Sequence, residues 1–168
     1  MTTYRLVAVA ILAMLPILWV VPAAAEVHVV RLDGFQEVPT VSTAARGQLR
    51  LDISNDEAQI EYQLTYEGIT THVLFAHIHI GAQGTTGGVV LFLCNNDDTT
   101  APADTPSCPE GNGTVTGTLT AENIVPRPAQ GIDVGEFDEI IRMIRRGGAY
   151  GNVHSEQSQP GEIRGNLR

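Results

Sequence analysis

Lysine is absent from this sequence, and positive charge is scarce: 10 arginines stand against 19 acidic residues, a formal net charge of -9 over 168 residues. Loss of an N-terminal segment carrying Arg5 would leave the remainder more acidic still. Nucleic-acid binding is thereby disfavoured, because contacts to phosphate need a basic patch. Cysteine occurs only at Cys94 and Cys108. Two cysteines closing a short loop in an exported chain read as a disulfide; thiolate metal ligands fit an oxidising compartment poorly. No Gly-x-Ser-x-Gly elbow is present, which weakens a hydrolase reading. The spacing Gly81-x-x-Gly84-x-x-Gly87 is a turn and not a nucleotide loop, because a strand pattern follows it where a helix would be needed. Beyond the N-terminus no apolar stretch is long enough to cross a bilayer, so the mature protein is expected not to span a membrane.

The N-terminus reads as an export signal. Arg5 supplies a short positive start, Leu6 to Val21 is apolar apart from the break at Pro16, and Ala23-Ala24-Ala25 offers small residues at cleavage spacing. The run is shorter than the roughly 20 residues of a spanning helix, and no basic stop-transfer cluster follows. Residues 1–25 are therefore expected to be a signal peptide and residues 26–168 the mature domain, secreted, periplasmic or held at the cell surface. Neither a lipoprotein cysteine nor a twin-arginine pair marks the segment.

The mature part alternates with period two. Val27–Leu32 reads as a first strand. Gly47–Ser54 and Gln59–Tyr66 alternate around the turn Asn55-Asp56-Glu57, the pattern of a hairpin. Val73–Ile80 places Ala76, Ile78 and Ile80 on one face and Phe75, His77 and His79 on the other. Gly88–Cys94 is nearly all apolar, as in a strand buried on both faces. Asn95–Gly113 has loop composition, with Cys94 and Cys108 bracketing it and tying its base shut, and Thr114–Thr120 is rich in β-branched residues. One helix is expected, from Phe137, Ile140, Ile141 and Ile144 at i, i+3, i+4 and i+7. Acidic residues open it, Arg142, Arg145 and Arg146 lie toward its end as a solvated face matched to the helix dipole, and Gly147-Gly148 stops it.

Ala149–Arg168 folds back around Glu156–Pro160. With Ser155 facing Gly161, the pairs His154/Glu162, Asn152/Arg164 and Tyr150/Asn166 share a polar face. The pairs Val153/Ile163, Gly151/Gly165 and Ala149/Leu167 share the other, and a one-residue slip would mix the two sets. About eight short strands with one helix indicate an all-β antiparallel sandwich or Greek-key-like closed barrel. Its apolar interior takes Ile78, Ile80, Val153 and Ile163, which puts His77, His79 and His154 on an outer face beneath covering loops.

Three stretches, AHIHIGAQGTTGGVVLFL at 76–93, RRGGAYGNVHS at 145–155 and PGEIRGNL at 160–167, occur in that order. From about Val27 to Leu167 the chain resembles the CHRD domain, the module named for its repeats in chordin and found also as single-domain exported bacterial proteins. The resemblance implies a β-rich extracytoplasmic domain and no defined activity; the function expected first is a non-enzymatic binding module whose surface and Cys-closed loop contact an extracytoplasmic protein or ligand. The Cys94–Cys108 insert departs from the family pattern.

A His-x-His pair on one strand with a third histidine on another is a route to a transition-metal site. Imidazole suits copper, zinc, nickel and iron, and affinity among divalent ions favours copper. His77, His79 and His154 are the candidate ligands, Glu162 a candidate further ligand or orienting group, and Asn152 and Arg164 candidate supporting residues. The arrangement is similar to the His-x-His of copper/zinc superoxide dismutase, where ligands also sit outside a β-barrel under loops. No histidine lies between His79 and His154, where most of the other ligands of that enzyme would fall. The competing reading is a buried polar network without metal. His28 and His72 are expected to be ordinary surface or strand-end residues.

Overall fold

The computed structural model describes residues 26–168; the segment read as a signal peptide lies outside the described residues. The strands are β1 (Glu26–Asp33), β2 (Arg46–Ile53), β3 (Ile60–Glu67), β4 (Val73–Ile80), β5 (Gly88–Asn95), β6 (Gly113–Leu119), β7 (Ala149–Ser155) and β8 (Ile163–Leu167), with one helix, α1 (Phe137–Arg145), between β6 and β7. All eight strands join in one antiparallel sheet of order β5-β4-β7-β8-β1-β2-β3-β6. The sheet curls until its two end strands approach, giving a nearly closed barrel, one of the two architectures expected.

Closure is completed by side chains and the long insert. Tyr62 Oη on β3 donates to the Leu93 carbonyl on β5 at 2.5 Å, and the backbone of β5 is met by Pro106 and Val125. Cys94 and Cys108 form a disulfide that ties the insert to β5. A loop near 15 residues gives roughly 3 kcal/mol in the chain-entropy description. The double variant Cys94→Ser/Cys108→Ser should therefore melt about 10 °C lower, given the stability-to-temperature conversion for a domain of this size. Calorimetry checks this, with mass spectrometry confirming the bond in the parent; an unchanged melting temperature would show the tie to be dispensable.

The interior follows the alternation. Leu49, Leu51 and Ile53 on β2, with Ile60, Tyr62, Leu64 and Tyr66 on β3, are buried, while the intervening polar residues reach solvent. Ala76, Ile78, Ile80, Val153 and Ile163 join the same core. Phe137, Ile140, Ile141 and Ile144 of α1 belong to it too, so the apolar stripe of the helix faces the barrel. Arg145 differs from a merely solvated charge. It bonds Glu26 at the start of β1 and Glu57 in the β2–β3 turn, fastening the helix end to two other elements. Arg142 pairs with Glu139 one turn earlier, as the dipole argument expects.

The β7–β8 register is the expected one from Ala149/Leu167 to Val153/Ile163. Beyond Val153 the ladder opens, and the connection runs over residues 156–162 instead of five residues. His154 and Ser155 turn their hydrogen bonds onto this connection, which pulls it off the strand pair. The outer face of β4, β7 and β8 is thereby roofed by three connections. Residues 81–87 are held by Arg164, whose guanidinium donates to the Thr85 and Ala82 carbonyls. Residues 34–43 are held through Gln36–Asn166 and Thr43–Glu162, and residues 156–162 through His154.

Candidate metal centre

His77, His79 and His154 come together under this roof, and they are 2%, 7% and 6% exposed. Each contributes one ring nitrogen to a group in which all three atoms lie within 4.8 Å of one another. Antiparallel pairing makes this possible. Phe75 on β4 faces His154 on β7, His77 faces Asn152, and His79 faces Tyr150, so His154 lies beside the strand that carries the other two. The ring centroids are 5.1 Å apart for His77–His154, 5.4 Å for His77–His79 and 6.1 Å for His79–His154.

Aromatic rings wall the cluster. Phe75 stacks on His77 at 4.8 Å and tilts against His154 at 4.7 Å; Phe92 meets His77 edge-on at 4.4 Å. Tyr150 stacks on His79 at 4.7 Å, and the Arg164 guanidinium lies 3.4 Å from the Tyr150 ring centre. Burial strips the imidazoles of solvent and holds them neutral. It lowers His77 to about 2, helped by His154 and His79, and lowers His79 and His154 to about 4 against the pull of their carbonyl partners.

Those carbonyls fix the tautomers. His79 Nδ1 lies 3.0 Å from the Gly87 carbonyl and His154 Nδ1 lies 2.7 Å from the Gln159 carbonyl. A carbonyl only accepts, so both Nδ1 atoms carry hydrogen and both Nε2 atoms present bare lone pairs. The Nε2 atoms of His79 and His154, and both nitrogens of His77, are buried without a partner. Leaving a buried polar atom unsatisfied costs about 1–3 kcal/mol. A cation among them removes that cost. Atoms spaced within 4.8 Å leave a point about 2.8 Å or less from all three, and shifts under about 1 Å reach the 2.0–2.1 Å of a metal–imidazole bond. The residues therefore fit a metal ion.

The other expected site residues divide. Asn152 lies beside His79 and Glu37, and Arg164 holds the 81–87 connection that covers the cluster. Glu162 stands apart: its carboxylate accepts from Thr43 Oγ1 at 2.7 Å and from Ser155 Oγ, and it is not in the group of three. Glu37 carried no signal in the sequence. It is buried in the irregular stretch after β1, one oxygen lacks a partner, and burial raises it to about 7 despite Arg164 and Asn152. Its proximity comes from chain folding and not from any local pattern.

Gly87 shows how tightly the roof is seated, because a Cβ there would lie 1.6 Å from the Ile80 carbonyl oxygen. Only glycine lets this backbone come close enough to present its carbonyl to His79. Gly161, with φ of +136°, likewise sits where a Cβ would run into the Glu37 carboxylate at 2.4 Å.

His28 and His72 are elsewhere. His28 is nearly buried, bonded to the Arg168 carbonyl and Glu26 and not a plain surface residue. His72 is exposed, as expected, but lies between Asp97 and Glu110, whose carboxylates raise its pKa and tie the insert to the start of β4. Among the described residues no helix is long and apolar enough to cross a membrane.

No curated protein and no solved structure matches this sequence significantly. The family model of the CHRD domain does match, over residues 29–167, nearly all of the described structure. With the barrel, the three motif stretches and that span in agreement, this chain belongs to the CHRD domain family.

Proposed function

We propose that the chain is an exported, extracytoplasmic CHRD-domain binding module, not an enzyme, that holds copper or zinc through His77, His79 and His154. Residues 1–25 are its signal peptide and 26–168 its mature domain in this reading, and the disulfide fits an oxidising compartment. The observation that carries the metal reading is the set of four buried imidazole nitrogens with no partner, two of them fixed as lone-pair donors by backbone carbonyls. A polar network without metal would spend those atoms on one another or on neighbours, as buried polar groups ordinarily do.

The protein, purified without a histidine tag, should bind one copper or zinc ion under chelator competition. His77→Ala/His79→Ala should weaken that binding at least 100-fold, since two of three ligands are lost. If parent and variant bind equally weakly, the cluster is structural and the metal reading fails. The alternative, superoxide-dismutase-like redox activity, draws on the His-x-His strand outside a barrel alone. Superoxide turnover by the copper-loaded protein would replace the binding-module reading with that one.

A further inference from the structure

The donor set discriminates by charge as well as by geometry. All three candidate ligands are neutral, and among the described residues no anionic donor joins them. The Glu162 carboxylate is occupied by Thr43 and Ser155, and both cysteines are consumed in the disulfide. Glu37, the other buried carboxyl, interacts with Asn152 and is balanced against Arg164. Positive charge already acts on the rings, from Arg127 on His77 and from Arg164 and Arg127 on His79.

The cost of desolvating an ion rises with the square of its charge, so a dication in this enclosure forfeits about four times what a monocation does. A carboxylate or thiolate ordinarily offsets that cost, and here Phe75, Phe92 and Tyr150 stand around the rings. Coordination number acts in the same direction. Zinc completes four ligands in nearly all its sites, with water where the protein supplies three, whereas this cluster supplies three nitrogens and, beside His79, only the neutral Asn152 amide oxygen, buried without a partner. Monovalent copper carries half the charge of zinc and is satisfied by three neutral ligands. Sodium and potassium are hard ions that favour a shell of oxygen donors, whereas the cluster is built on three ring nitrogens.

We propose that the site selects monovalent copper over divalent zinc and divalent copper, an inference that rests on the reading that these histidines bind metal at all. The neutrality of the donors makes the preference, and an added carboxylate should reverse it. Phe75 is the place to add one: it touches both His77 and His154 and is only half-buried.

The full chain without a tag is titrated anaerobically with Cu(I) under bicinchoninate competition, and separately with Zn(II) and Cu(II) under chelators of their own. Free imidazole with the same ions sets the intrinsic donor preference. Relative to imidazole, the protein should favour Cu(I) over Zn(II) at least 100-fold and shift the copper couple to a more positive potential. Phe75→Asp should narrow the Cu(I)-to-Zn(II) ratio at least tenfold, whereas Phe75→Leu, which adds no charge, should leave it within about threefold; circular dichroism confirms that both fold. Metal binding with a ratio no better than that of imidazole, or a ratio untouched in folded Phe75→Asp, overturns the selectivity and leaves the metal reading standing. Absence of binding by all three ions overturns both.

Discussion

Metal-free protein taken from pH 6.5 to pH 4.5 should lose about 5 kcal/mol of stability, enough to unfold many domains of this size. The loss comes from the three buried imidazoles. Their folded-state pKa values are depressed, to about 2 for His77 and about 4 for His79 and His154, chiefly by burial. An unfolded chain takes up protons on these rings near 6.5, so over this window the unfolded state binds more protons than the folded one. The stabilisation is thus full above about pH 6.5 and is lost as pH falls toward the folded values. Three groups at about 1.4 kcal/mol per pH unit give roughly 4 kcal/mol per unit.

Glu37 works in the opposite direction. Raised to about 7, it binds a proton more readily folded than unfolded and returns roughly 1.4 kcal/mol per unit down to its ordinary range. The net slope is then about 3 kcal/mol per pH unit. Urea unfolding at pH 7, 6 and 5 reads it directly. His77→Phe should flatten the net slope by about half, and bound metal should suppress it, because metal and protons compete for the same lone pairs. A midpoint constant from pH 7 to pH 5 would mean that these rings are not held neutral in the fold.

Arg164→Ala should destabilise the protein by about 3–5 kcal/mol, the range for removing one partner of a buried charged network. Arg164 is completely buried. It donates to the Thr85 and Ala82 carbonyls and to Asn166 Oδ1, covers the Tyr150 ring, and faces the Glu37 carboxyl. Truncation strands three acceptors and leaves a cavity beneath the 81–87 connection. Arg164→Lys should recover only part of the loss, since an ammonium cannot spread the same fork over three acceptors and a ring.

The same variant reaches the candidate metal centre without touching it. The 81–87 connection carries the Gly87 carbonyl that orients His79, so loosening it should lower metal affinity about 10- to 100-fold, the usual effect of removing an orienting partner. Denaturant titration and metal competition on the same preparation test both parts. Stability within about 1 kcal/mol of the parent would show that the roof does not depend on Arg164.

Much of this was legible in the linear chain because strand periodicity is local. The alternation in Gly47–Ser54 and Gln59–Tyr66 leads directly to the β2–β3 hairpin. From Ala149/Leu167 to Val153/Ile163 each cross-strand pair sorts cleanly by polarity, which makes only one register tolerable, and the structure adopts it there, while the expected pairs His154/Glu162 and Ser155/Gly161 do not form. The two-residue spacing of His77 and His79 puts them on one face of any strand, and the polar face of the last hairpin carries His154. The candidate trio was therefore visible before any tertiary contact. The helix stripe was visible as well, though not the use of Arg145 as a fastener, because Glu26 and Glu57 are 119 and 88 residues distant along the chain.

By itself, then, the sequence determined the strands, the core face, the last hairpin's register, the family and three histidines on a common outward side. These follow from patterns spanning a few residues, where side-chain direction is set by backbone geometry. Tertiary structure alone decided what surrounds those histidines. It brought β4 beside β7, drew Glu162 away to Thr43 and Ser155, placed Glu37 and Arg164 in the same buried layer, and aimed the Gly87 and Gln159 carbonyls at two rings. Tautomer, charge and solvent exclusion arise from contacts between connections that no local period encodes, so the chemistry of the site was settled only when the barrel closed and its roof came down.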